Sequence, residues 1–219
     1  MICNGPFKVI ATGSQGNAVV MGEEILIDCG VPFKRLEPYI QRLQLVLLTH
    51  RHGDHFNPAT VRRLHQTRPT LRFACGSWMV PHLLDAGVSP RNIDPLDLDV
   101  VYAYKGGAWL VRPFPLRHDV DNCGWKIHIY DGRIRRYLYA TDTSTLEHVE
   151  AKGFDWYLIE ANHTEAGIAE RIERKEEAGE FCYEYRAKEN HLSREAADLW
   201  LAMNAGPGSQ VIYLHGHQE

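Results

Sequence analysis

Leu45-Val46-Leu47-Leu48-Thr49-His50-Arg51-His52-Gly53-Asp54-His55 joins a short apolar run to three imidazoles and a carboxylate packed into six residues. The apolar run, bounded by polar residues, reads as a buried strand. The spacing His50-x-His52 points two imidazoles the same way, because alternate residues of an extended segment share a face. Asp54 and His55 sit one step further round the turn. Nitrogen and carboxylate donors at this density suit zinc, manganese or iron at a catalytic centre, whereas a structural zinc site would recruit cysteines.

Outward from this stretch, strand-like and helix-like segments alternate. Phe7 to Ala11, Val19 to Met21, Ile25 to Asp28 and Leu71 to Cys75 read as strands, as do Val100 to Tyr104, Trp109 to Leu116, Trp125 to Tyr130, Tyr137 to Ala140, Trp156 to Glu160 and Gln210 to Leu214. Asn57-Pro58 supplies a cap and a first-turn proline for a helix through about His65. Ser77 is the expected cap of a helix ending at Gly87, a short helix is expected near Leu146 to Ala151, and Ser193 caps Glu195 to Met203. The stretch Glu165 to Glu189, dense in mixed charge from Ile168 to Glu177, reads as a solvated helix with i,i+4 pairs. A flap or dimer arm, and with it a homodimer, is the functional alternative for that stretch.

With 219 residues, 44% of them hydrophobic, the chain can bury one sizeable core, so a single domain over 1–219 is the economical count. Five cysteines without a C-x-x-C pair argue against a disulfide scaffold and for a reduced, cytoplasmic setting. The start lacks a secretory signal layout, and no run approaches the roughly 18 apolar residues of a membrane helix. No membrane partner is expected.

The H-x-H-x-D-H pattern resembles the signature of the metallo-β-lactamase superfamily, and further motifs follow in that family's order. Thr12-Gly13-Ser14-Gln15-Gly16-Asn17-Ala18 with Ile25-Leu26-Ile27-Asp28-Cys29-Gly30 looks like its first hairpin. Phe114-Pro115-Leu116-Arg117-His118-Asp119 is similar to its third metal motif, Tyr139-Ala140-Thr141-Asp142-Thr143 to its bridging-aspartate motif, and Val211-Ile212-Tyr213-Leu214-His215 to its terminal strand and last histidine. The resemblance implies an α/β fold of the family's type, a four-layer αββα sandwich. Gly124-Trp125, Glu160-Ala161-Asn162-His163 and His191-Leu192-Ser193 bring the chain nearest the small WalJ-type branch, regarded as nucleases or phosphodiesterases; a related phage branch degrades cyclic nucleotides. It departs from that branch at His215-Gly216-His217-Gln218-Glu219, where a His-Leu-Ser continuation is usual.

By this resemblance His50, His52 and His118 form one metal site, Asp54, His55 and His215 a second, and Asp142 bridges two divalent ions, zinc first and manganese or iron as alternatives. Position directly after the strand favours His215 over His217 as the last ligand. Asp54 counts as both ligand and catalytic residue. His191, beside a helix N-terminus, is a candidate to bind a phosphoryl oxygen or protonate a leaving group, or else an ordinary polar residue ahead of a cap. His163 is a second candidate. Asp28 and Asp119 are expected to orient imidazoles, and Ser14 and Asn17 to shape the glycine turn.

Paired divalent ions make hydrolysis the expected reaction. A formal charge of −4 supplies no global attraction for DNA or RNA, so a small or cyclic nucleotide competes with a polynucleotide as substrate. Lys34-Arg35, Arg62-Arg63 and Arg133-Ile134-Arg135-Arg136 are local basic clusters of the kind that is usually solvated surface. A thioester, lactone or β-lactam hydrolase on the same centre, and a non-catalytic metal-binding protein, are the alternatives.

Overall fold

The computed structural model describes residues 6–216; His217 therefore lies outside the described residues. These fall into two compact units, one up to Val100 and one from Val101 onward.

In the first unit, β1 (Phe7–Ala11), β2 (Ala18–Met21), β3 (Ile25–Ile27), β4 (Leu45–Leu48), β5 (Arg72–Cys75) and β6 (Ile93–Pro95) form one sheet in chain order. The first three strands pair antiparallel and the rest parallel. All four residues of β4 are buried. Helix α1 (Pro58–Thr67) begins as expected, with the Asn57 side chain accepting from the Thr60 N–H and Pro58 at the first position. Its Val61 and Leu64 share a core with Leu26, Val46, Leu48 and Phe73.

Ser77 does not cap a helix as the sequence suggested. It lies inside a 3-10 turn, Ser77–Met79, that leads into α2 (Val80–Asp85), and Gly76 occupies the position before it. Strand β6 has no clear periodicity. Pro95 cannot donate to a ladder, and the strand accordingly lies at the sheet edge.

The second unit contains β7 (Tyr102–Tyr104), β8 (Trp109–Leu116), β9 (Asn122–Tyr130), β10 (Ile134–Ala140), β11 (Trp156–Glu160) and β12 (Gln210–Leu214), in the order β12-β11-β10-β9-β8-β7. Strands β7 to β10 form an antiparallel meander, and β10, β11 and β12 run parallel. Consequently β8, β10, β11 and β12 all end at the same edge. Helix α3 (Glu165–Ala178) is mostly exposed, agrees with the solvated-helix expectation, and ends at Gly179 with φ +65°. After α4 (Glu184–Asn190) comes α5 (Arg194–Asn204), whose cap Ser193 accepts from the Ala196 N–H at 3.2 Å.

The helix expected near Leu146 to Ala151 is a turn. Its backbone groups are committed elsewhere: Trp200 Nε1 donates to Val149 O at 3.0 Å, the Ala151 N–H donates to Asn204 Oδ1 at 3.0 Å, and the Tyr157 hydroxyl lies 2.6 Å from Ala151 O. Leu146, Val149 and Ala151 thereby join the core of Leu138, Tyr157, Ile159 and Trp200. Among the described residues no helix is long and apolar enough to cross a membrane.

Candidate metal centre

In the first unit β3 and β4 are parallel, so the residues that follow them emerge at one edge. Asp28, after β3, is fully buried and has φ +55°. Its carboxylate accepts from the Thr49 N–H at 3.0 Å and the Thr49 hydroxyl at 3.0 Å, and it lies 2.7 Å from His55 Nδ1. A buried carboxylate on one ring nitrogen fixes the imidazole and reserves the other nitrogen for a ligand. His50 Nδ1 lies 3.0 Å from the Thr49 hydroxyl and His50 Nε2 lies 3.2 Å from His52 Nδ1. The His50 and His55 ring centroids are 4.2 Å apart.

Asp54 Oδ2 lies 3.7 Å from His55 Nε2. The first unit thus gathers His50, His52, Asp54 and His55. Asn17 does more than shape the glycine turn: its Oδ1 accepts from the Gly13 N–H at 2.9 Å and its Nδ2 lies 2.8 Å from His55 Nε2. The backbones are in close contact here, since a Cβ on Gly30 would lie 1.7 Å from Asp54 O. Only glycine allows this approach.

In the second unit the shared edge of β8, β10, β11 and β12 carries His118, Asp142, Glu160 and His215. Asp142, Glu160, His191 and His215 each offer a ligand atom, all within 4.8 Å of one another. Asp142 and His215 both adopt φ +57°. Such left-handed conformations in non-glycine residues are uncommon and cluster where a side chain must be aimed. Asp142 O accepts from Asn122 Nδ2 at 2.7 Å, and His215 O from Asn162 Nδ2 at 3.0 Å, which hold the two turns. Asp142 Oδ1 is 3.4 Å from His215 Nε2 and 3.9 Å from His118 Nε2. His118 Nε2 is also 3.2 Å from Asp119 Oδ1, and Asp119 pairs with Arg186 of α4.

Glu160, which was not singled out from the sequence as a site residue, is the hub of this cluster. It is fully buried, and Oε2 accepts from the Thr143 N–H at 2.9 Å and the Leu192 N–H at 3.3 Å. Oε1 lies 2.6 Å from His191 Nδ1 and 3.3 Å from His215 Nδ1. Burial opposes its ionisation, but the hydrogen bonds from His191 and His215 outweigh it and hold its carboxyl below the usual range. The available signal was an acidic residue closing an otherwise apolar strand, Trp156-Tyr157-Leu158-Ile159-Glu160.

The two histidine candidates separate. His191 stacks on His215 with centroids 5.2 Å apart and an interplanar angle of 16°. His163 stands outside the four-residue group: its carbonyl accepts from the Arg194 N–H at 2.7 Å, and its buried Nδ1 has no hydrogen-bond partner among the described residues. Desolvation pushes its imidazole pKa down. Two carboxylates and two imidazoles converging here, three of the four buried, form a donor set that suits zinc, manganese or iron.

The beta-lactamase superfamily domain model matches residues 23–215. No curated protein sequence matches the chain. Among solved structures, the metallo-beta-lactamase fold protein YhfI from Bacillus subtilis is 16% identical with a TM-score of 0.70, covering 97% of this chain and 86% of that one. The short form of human tRNase Z is 16% identical with a TM-score of 0.70, over 97% and 92% of the two chains. A diphosphatase from the PhnP family is 13% identical with a TM-score of 0.65, over 96% and 86%. At these identities the likeness is one of fold. The two six-stranded sheets with their helices match the metallo-β-lactamase fold, and by the family model this chain belongs to the beta-lactamase superfamily.

Proposed function

We propose that the chain is a metal-dependent phosphodiester hydrolase acting on nucleic acid or on small or cyclic nucleotides. The observation that carries this is the convergence of Asp142, Glu160 and His215, all buried, with the half-buried His191 at one sheet edge. The metal ligands are assigned to His50, His52, Asp54 and His55 of the first unit and His118, Asp142 and His215 of the second. Two divalent ions, with zinc the first choice, would supply Lewis-acid polarisation of the scissile phosphate. A phosphodiester substrate is favoured over other esters because tRNase Z and the PhnP-family diphosphatase share the fold and are named for cleaving phosphate linkages.

The chain's own groups then take distinct roles. Asp28 holds His55 Nδ1 and leaves its Nε2 for a ligand, and Glu160 holds His191 Nδ1. His191, anchored through Nδ1, presents Nε2 as the atom that protonates the leaving oxygen. Asp54 combines ligation with orientation of the reacting group.

The test is hydrolysis of bis-p-nitrophenyl phosphate by zinc-loaded wild type and by Asp142→Ala, with zinc content measured on both. Turnover by wild type that vanishes in the variant supports the reading. A fully loaded wild type without turnover overturns it in favour of a thioester, lactone or β-lactam hydrolase, or of a metal protein without catalysis.

A further inference from the structure

A cleft of about 390 Å³ opens on the second unit, away from the strand ends that carry the metal-ligand candidates. Arg112 lies four positions before Leu116 and Arg136 four before Ala140, about 13 Å at roughly 3.3 Å per step, before the loops bearing His118 and Asp142 begin. The floor is apolar, with Leu110, Val111 and Phe154, and His128 packs edge-on against the Phe154 ring at 5.8 Å between centroids. The rim is cationic: Arg112, Lys126, Arg136 and Lys152 face one lining carboxylate, Glu150.

We propose that this cleft is a second ligand site, for a phosphorylated aromatic compound of the size of a nucleoside monophosphate. The volume falls in the range of small-molecule sites, which pair an apolar lining with a few converging polar groups. An apolar floor with an aromatic wall suits a flat ring, and the rim suits a phosphate dianion.

Arg112 sits directly opposite Lys126 across β8 and β9, which brings two of the rim cations side by side. Lys126 is already fixed in place, with Nζ donating to Glu150 O at 2.6 Å and lying 5.3 Å from the Phe114 ring centre. Arg136 pairs with Asp155 at 3.8 Å, close to the limit for an ion pair and half in solvent. Long basic stems often cover apolar surface. Here Leu110 is still 36% exposed and Val101, at the same cleft, 56%.

Isothermal titration with adenosine monophosphate tests the proposal, run on the full chain, on Asp142→Ala, on Lys126→Gln and on the double variant Arg136→Gln/Lys152→Gln. The expected result is one saturable site in wild type, kept in Asp142→Ala and weakened at least ten-fold by either set of cation replacements. Inorganic phosphate alone and adenosine alone should each bind at least ten-fold more weakly. Arg136 and Lys152 are exposed, so the double variant keeps the test decisive should Lys126→Gln fail to fold. No binding, unchanged binding in a folded cation variant, or binding lost in folded Asp142→Ala overturns the proposal; the last result would place the nucleotide at the metal centre.

Discussion

His191 Nδ1 lies 2.6 Å from Oε1 of Glu160, a carboxylate with no exposure to solvent. This contact ties a helix end to a strand end and fixes an imidazole that also stacks on His215. Two further backbone N–H groups, from Thr143 and Leu192, saturate the other carboxylate oxygen.

Glu160→Gln keeps the shape but turns an amide N–H₂ toward groups that need an acceptor. Leaving one buried donor unsatisfied costs about 1–3 kcal/mol. Urea denaturation should show a loss of that order, and zinc affinity or phosphodiester turnover should fall roughly 10–100-fold, the usual effect of removing a group that orients metal ligands. A variant with wild-type stability and zinc affinity would refute the role given to Glu160.

Asp28→Ala removes the acceptor shared by Thr49 and His55. Stability should drop by about 1–3 kcal/mol for each buried donor left unpaired. Competition titration should find zinc binding weakened in the same roughly 10–100-fold range, while Asp28→Asn recovers part of the stability. Undiminished zinc affinity in folded Asp28→Ala would count against Asp28 as an orienting group.

At Gly30 any side chain overlaps the Asp54 carbonyl, 1.7 Å from the ideal Cβ. The obstacle is backbone, so relief requires moving the loop that carries His52, Asp54 and His55. Overpacking of this kind typically costs about 1–3 kcal/mol and occasionally more. Gly30→Ala should therefore sit at or beyond the upper end on chemical denaturation, with zinc binding impaired. Gly53→Ala, which meets nothing within 4 Å, should be far milder.

Acid should destabilise the fold through His128 and His163. Desolvation lowers both imidazole pKa values below 6.5, aided at His128 by the Arg136 charge. The unfolded chain then binds protons that the folded chain refuses, so stability falls as pH drops below about 6.5 and is unaffected by these two groups well above it. Denaturation midpoints between pH 7.5 and 5.5 should show the decline, with a shallower slope in His163→Gln and His128→Gln. Equal slopes in all three proteins would remove these histidines as the cause.

The local pattern of the sequence determined the strand Leu45–Leu48, the imidazole-rich turn after it, the Asn57 and Ser193 caps and the terminal strand ahead of His215. Burial, capping and alternation are decided by residues a few positions apart, so a single stretch carries enough information. Tertiary structure alone decided the work of Glu160, Asn17 and Thr49. Glu160 meets His191 31 positions later and Thr143 17 positions earlier, and Asn17 reaches His55 across 38. The same holds for the contact of His191, and not of His163, with Glu160, and for the turn at Leu146 to Ala151, whose backbone donors and acceptors are taken by α5 and β11. A buried polar group is assigned its role by whichever partner satisfies its hydrogen bonds, and that partner is chosen by how parallel strands bring their ends together, not by neighbours in the chain.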